Sequence, residues 1–167
     1  AFEALLIMTR KHIKHLPVIS GGALKGIITV TDLIRAEGRN SVYLTGSIRK
    51  AKSVEELQEL SRSVPELQLQ LMNMGATAQH ISMGVTAVGT AITKKLLEMG
   101  QQQLGPPPVP FAWVCAGSQA RREQTSHSDQ DNAMIISDAM LPEHASYFEQ
   151  LAKFVCDGLN DCGYIYC

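Results

Sequence analysis

The chain has 167 residues, 45% hydrophobic and 19% charged, with 15 Lys and Arg against 16 Asp and Glu for a formal net charge of −1. This composition excludes a disordered or fibrous chain and a globally basic nucleic-acid binder. No apolar run approaches the ~18 residues a membrane-spanning helix needs, and the apolar start carries Glu3 and lacks a basic leader, so a cytoplasmic protein with no membrane or nucleic-acid partner is expected.

The charge is unevenly spread. Residues 1–52 hold nine Lys/Arg and three Asp/Glu, residues 53–104 three and five, and residues 105–167 three and eight. Three segments with different tasks are implied within a length usual for one domain, so at least one is expected to be incomplete and the chain to be a fragment.

In residues 3–14, Leu5, Leu6, Met8 and Ile13 fall on one side at helical spacing, and residues 16–19 read as a short buried strand. Gly21-Gly22 makes a turn into a second strand over residues 24–30, and residues 31–34 start a short helix that Gly38 ends. From Ser53 to Gly100 the pattern is helical. Ser53-Val54-Glu55-Glu56 has the form of a capping box, in which each side chain satisfies the other end's backbone donor. Pro65 suits the first turn of the next helix, and Ile81, Val85, Val88, Ile92 and Leu96 predict a third from about Thr77 to Met99, closed by Gly100. The proline-rich stretch 104–110 cannot continue a helix and forms a stiff boundary. Beyond it, residues 111–116 are a continuous apolar stretch of strand length, 117–131 are polar, 133–136 are apolar again, 142–156 predict a last helix, and 164–167 are strand-like. The four cysteines, at 115, 156, 162 and 167, lack the spacing of a zinc knuckle or thioredoxin motif, and Cys115 reads as a small buried hydrophobe.

The polar segment carries the chemistry. Asp129 and Asp131, two apart on extended backbone, point the same way. Carboxylates so placed repel each other unless a cation lies between them, and Mg²⁺ or Mn²⁺, taking one or two carboxylates plus phosphate oxygens, resolves the conflict. Gly117 lets backbone N–H groups come close to a phosphate, the Ser118 hydroxyl can bond a phosphate oxygen, and Arg121 and Arg122 can neutralise its charge. Together these predict a site for a nucleoside triphosphate and a metal, as phosphoryl transfer requires. Each piece also has a plainer reading: an Asp-x-Asp in a solvated turn, Arg121 and Arg122 paired with Glu123, and His127 exposed without a partner. A calcium loop is excluded, because Ala133 and Met134 stand where an EF-hand needs an oxygen ligand and glycine.

Gly117-Ser118, Arg121 to Thr125 and Asp129 to Asn132, in this order, resemble the nucleotidyltransferase domain that bacteria join to CBS domains. More distantly they resemble protein-PII uridylyltransferase and glutamine-synthetase adenylyltransferase. The resemblance implies that Asp129 and Asp131 are catalytic and hold the metal, and that Gly117, Ser118 and Arg121 bind ATP or UTP. A nucleoside monophosphate then passes to an acceptor, possibly a protein, with release of pyrophosphate. Two features differ from these relatives. The position before Arg121, usually glycine, is Ala120, where a positive φ would be strained. The third carboxylate, carried by the superfamily on a later strand, is expected beyond the chain end.

His15-Leu16-Pro17-Val18, the Gly21-Gly22 turn and Gly26 to Leu33 resemble the second half of a CBS domain, the module that pairs up to bind adenine nucleotides. The resemblance implies AMP or ATP as ligand, with Thr29 near phosphate and Asp32 on the ribose. The plainer reading makes Thr29 or Thr31 a helix cap and puts Asp32 in the first turn. Arg10, Lys11, Lys14 and Lys25 read as a solvated helix surface or an attraction for nucleotide phosphates.

The expected fold is α+β: the C-terminal half of a CBS domain in residues 1–38, a helical connector in 39–104, and a truncated nucleotidyltransferase-type mixed sheet with helices in 105–167. The expected function is a signalling nucleotidyltransferase under CBS-type regulation by adenine nucleotides, and a homodimer formed as paired CBS modules commonly do. The alternative is a non-catalytic adenine-nucleotide-sensing module.

Overall fold

Residues 2–11, 13–29, 32 and 41–167 are described by the structure, a computed structural model. In chain order the elements are α1 (Phe2–Lys11), β1 (His15–Ser20), β2 (Ala23–Thr29), α2 (Ser41–Lys50), α3 (Val54–Ser61), α4 (Val64–Asn73), α5 (Ala78–Leu104), β3 (Phe111–Cys115), α6 (Gly117–Arg121), β4 (Asn132–Ile136), a 3-10 turn (Pro142–His144) and α7 (Ala145–Asp161). The fold is mixed α and β with two small antiparallel sheets, β1–β2 and β3–β4.

β1 and β2 pair from His15 with Thr29 to Ser20 with Ala23, with a bulge between Val18 and Ile19. Gly21 (φ 60) and Gly22 (φ 75) close the ladder, as a two-residue hairpin turn with both central φ angles positive requires. The expectation of a buried first strand is not met: every β1 residue except Leu16 is exposed, as are Leu24 and Ile27 on β2. An apolar run fixes the strand, whereas burial depends on what is layered over it. Of the helix expected at 31–34, only Asp32 lies among the described residues, and it is helical.

The Ser53 hydroxyl accepts the Glu56 N–H at 3.3 Å and so caps α3, but the Glu56 carboxylate accepts the Lys52 N–H at 2.8 Å. One arm of the expected capping box therefore forms. Pro65 sits in the first turn of α4, where its missing N–H costs nothing. α5 does not stop at Gly100. It runs on to Leu104 and ends at Gly105 (φ 90), ahead of the prolines. Gly100 serves packing instead: a Cβ there would lie 2.7 Å from Leu151 Cδ1, and one at Gly158 of α7 would lie 2.5 Å from Leu96 Cδ2. These two glycines let α5 and α7 approach each other across leucine side chains. α7 likewise continues past Cys156 to Asp161.

α2, α4 and α7 all pack on α5. Ile48, Leu57, Leu67, Ile92, Leu96, Leu151 and Val155 form one hydrophobic cluster, so the helices of 41–104 and α7 share a single core. β3 and β4 pair from Phe111 with Ile136 to Cys115 with Asn132. Phe111 and Trp113 lie on the core, and Phe111 meets the buried Phe148 edge to face at 5.6 Å. Alternate residues, Val114 and Ile135 among them, are exposed, so the apolar stretch is buried on one face rather than two, and Cys115 is half-buried. Beyond α7, Ile165 bridges in parallel to Asp129. No helix among the described residues is long and apolar enough to cross a membrane.

Candidate functional site

The site forms where β3 gives way to α6. The Ala116 N–H donates to the Asp131 carbonyl at 2.8 Å, and the chain then turns at Gly117 (φ 50). The expected Gly-Ser turn is the start of a short helix, with the Ala120 N–H donating to the Ala116 carbonyl at 3.0 Å. Ala120 is part of that helix and has no positive φ, so the strain expected there does not arise. The left-handed position falls two residues on, at Arg122 (φ 59, ψ 42), the C-cap of α6.

Asp129 and Asp131 are aimed by the residue between them. Gln130 is buried, and its Nε2 donates to the backbone carbonyls of Cys156 and Tyr164, both at 3.0 Å. Its own N–H donates to the Ile165 carbonyl at 3.1 Å. Gln130 Oε1 accepts from Asn132 Nδ2 at 3.4 Å, and Asn132 Oδ1 accepts from Trp113 Nε1 at 3.2 Å. With Gln130 anchored inward, the alternation of extended backbone sends both aspartates to the opposite side.

There the ligand atoms of Asp129, Asp131 and Cys167 all lie within 4.8 Å of one another. The Cys167 thiol donates to Asp131 Oδ1 at 3.7 Å and to Asp129 Oδ2 at 3.9 Å. The negative charges of Asp131 and then Asp129 push the thiol above its usual range. Gly117 is bound into the same cluster, because a Cβ on it would overlap the Asp131 carboxylate. The donor set suits a hard divalent ion, because two converging carboxylates supply oxygen ligands. Among the described residues the third member of the cluster is this cysteine rather than a carboxylate.

Ser118 is half-buried at the head of α6. Arg121 is not brought to the aspartates: its Nε donates to Glu123 Oε2 at 2.7 Å, both side chains being exposed. His127 is exposed. In the N-terminal part, Thr29 N–H and Oγ1 donate to Asp32 Oδ2 at 2.9 and 2.6 Å, while the Asp32 N–H donates to Thr29 Oγ1 at 3.1 Å. That reciprocal pattern is a helix cap. Thr31 lies outside the described residues.

Sequence reasoning missed Gln124, Gln130, Tyr164 and Cys167. Gln124 and Tyr164 are buried, and Gln124 Oε1 and Tyr164 Oη have no hydrogen-bond partner. Both crowd Gly89 of α5, where a Cβ would come within 2.8 and 3.0 Å of them. Burial pushes the Tyr164 hydroxyl far above its usual range. Gln130 was legible in principle, since the alternation that turns Asp129 and Asp131 outward turns it inward.

Residues 62–167 match the family model described as Putative nucleotidyltransferase DUF294, and residues 1–39 match the CBS domain. The chain belongs to the DUF294 nucleotidyltransferase family. The match begins at Arg62, so in this DUF294 chain α4 and α5 fall inside it together with the Asp129–Asp131 cluster. No curated protein and no solved structure matched the chain.

Proposed function

We propose that the protein transfers a nucleoside monophosphate from ATP or UTP to an acceptor, with a protein, in the protein-PII manner, as one candidate. The acceptor's nucleophile bonds to the α-phosphorus, the bond from that phosphorus to the bridging oxygen breaks, and pyrophosphate leaves. The observation that carries this reading is the convergence of the Asp129 and Asp131 carboxylates beside Gly117, in a chain of nucleotidyltransferase family.

Asp129 and Asp131 would hold Mg²⁺ or Mn²⁺, which when bound offsets the negative charge of the triphosphate. Gly117 leaves the backbone of the bend open to close approach, and Ser118 offers a hydroxyl to a phosphate oxygen. Arg121 has to leave Glu123 to reach a phosphate, an exchange of one exposed ion pair for another that costs little. AMP or ATP at Thr29 and Asp32 would regulate the transfer, and the carboxylate must then release the Thr29 hydroxyl to reach a ribose. Homodimerisation belongs to the same reading, with sedimentation as its measurement.

The test is transfer of labelled nucleotide in the presence of Mg²⁺. Replacing both Asp129 and Asp131 by Asn is expected to abolish it while leaving the circular dichroism unchanged, and undiminished transfer overturns the assignment. AMP titrated into the same assay reads the CBS part, whose response is expected to vanish with Asp32→Ala.

A further inference from the structure

A groove of about 500 Å³ lies between α2, α5 and α6, within the size range of small-ligand pockets. Its width comes from α5, where Thr86, Ala87, Thr90 and Ala91 present small side chains along one face. Around that face stand four cations: Arg49 from the last turn of α2, Lys94 and Lys95 from α5, and Arg122 from the end of α6. The one carboxylate lining the groove is Glu98, and it pairs with Lys95 at 3.1 Å. Arg49, Lys94 and Arg122 are exposed and have no ion-pair partner among the described residues.

Arg49 alone has a sufficient local explanation, since a cation in the last turn of a helix meets its negative end. Lys94 stands one helical turn from Glu98, whose carboxylate is taken by Lys95, which leaves the Lys94 charge to the groove. Arg122 has no such local explanation. Arg122 occupies a left-handed position at a helix C-cap, where glycine or asparagine is the unstrained choice. The backbone there accepts an unfavourable residue whose side chain lines the groove.

We propose that this groove is a binding site for a phosphorylated small molecule carrying two or more negative charges, filled without a divalent ion and separate from the Asp129–Asp131 cluster. The three unpaired cations supply the charge, and the half-buried Thr90 hydroxyl supplies a neutral donor on the floor, while the buried Thr86 hydroxyl accepts the Gln124 N–H at 3.3 Å. Gln119 of α6 lines the groove and also borders the recess that contains Asp129, so a ligand in the groove lies next to the transfer site. Without a cation the two aspartates repel a polyanion, so metal-free anion binding belongs to the groove rather than to them.

The test uses inorganic tripolyphosphate titrated calorimetrically into the full chain in EDTA. One site is expected, with affinity falling as salt rises and weakened about 10-fold by Lys94→Glu. Arg122→Gly is expected to weaken it similarly, and because glycine relaxes that backbone, the loss cannot be laid to misfolding. The Asp129→Asn, Asp131→Asn double variant is expected to bind as well as the wild type while losing Mg²⁺-dependent transfer. Absence of binding, binding indifferent to both groove variants, or binding lost in the aspartate variant each overturns the proposal and leaves the transfer reading to its own assay.

Discussion

The two antiparallel ladders, β1–β2 and β3–β4, are made of similar apolar residues, yet they sit in different surroundings. In β1–β2, Val18, Ile19, Leu24 and Ile27 are all exposed, and a two-glycine turn joins the strands. In β3–β4 the strands are separated by residues 116–131, with no tight turn to align them, but Phe111 and Trp113 rest on the shared helical core. Turn chemistry sets the register of a ladder; burial on one face makes a ladder that can hold other groups in place. The candidate site is built at the end of the second ladder, where Gln130 and Asn132 tie the strand to α7, to the 164–165 segment and to Trp113.

The sharpest way to break that contrast is Gln130→Ala. It leaves the Cys156 and Tyr164 carbonyls without their side-chain donor and opens space beside α7, so a loss of about 2–4 kcal/mol is expected in urea unfolding. Trp113, the single tryptophan, reports the transition. Because Gln130 also aims the aspartates, transfer should fall even where the variant remains folded. Unchanged stability would mean that the two carbonyls find other donors and that Gln130 does not anchor the strand.

Next in size is Gly117→Ala. The new methyl must displace the Asp131 carboxylate, and the residue must hold φ near 50, a left-handed conformation costing about 1–2 kcal/mol for a residue with a side chain. Stability should drop by about 2 kcal/mol, and Mg²⁺-dependent transfer should drop more steeply than stability, since the methyl occupies the place of a proposed metal ligand. Equal activity in the two proteins would detach Gly117 from the site.

These two residues also mark how far the sequence could be read. The positive φ expected at position 120 falls instead at Gly117 and Arg122, whereas the outward pairing of Asp129 and Asp131 follows from a local rule, alternation along extended backbone, and could be read from a dozen residues. The short helix in place of a turn, the course of α5 through Gly100 and the exposure of β1 could not. The course of α5 through Gly100 is bound up with a neighbour far along the chain, Leu151, and the exposure of β1 depends on what is layered over it rather than on its own residues. Cys167 escaped for the same reason: it joins the aspartates only because Ile165 bridges to Asp129 across the intervening α7. The plainer alternative for Arg121, an ion pair with Glu123, was legible because its partners lie two residues apart.

The smallest effect is expected in the first ladder, and it tests the contrast from the other side. Ile27 of β2 stands opposite Pro17 and remains 60% exposed, so its side chain has little apolar contact to lose. Thr keeps the branching at Cβ that suits a strand, and Ile27→Thr should therefore change stability by no more than about 0.5 kcal/mol. Far-UV circular dichroism in urea measures this change, because Trp113 belongs to the other ladder. A loss of 2 kcal/mol or more, on the scale of burying an isoleucine, would mean that this strand is covered in the folded protein, and the two ladders would then differ in their turns but not in their burial.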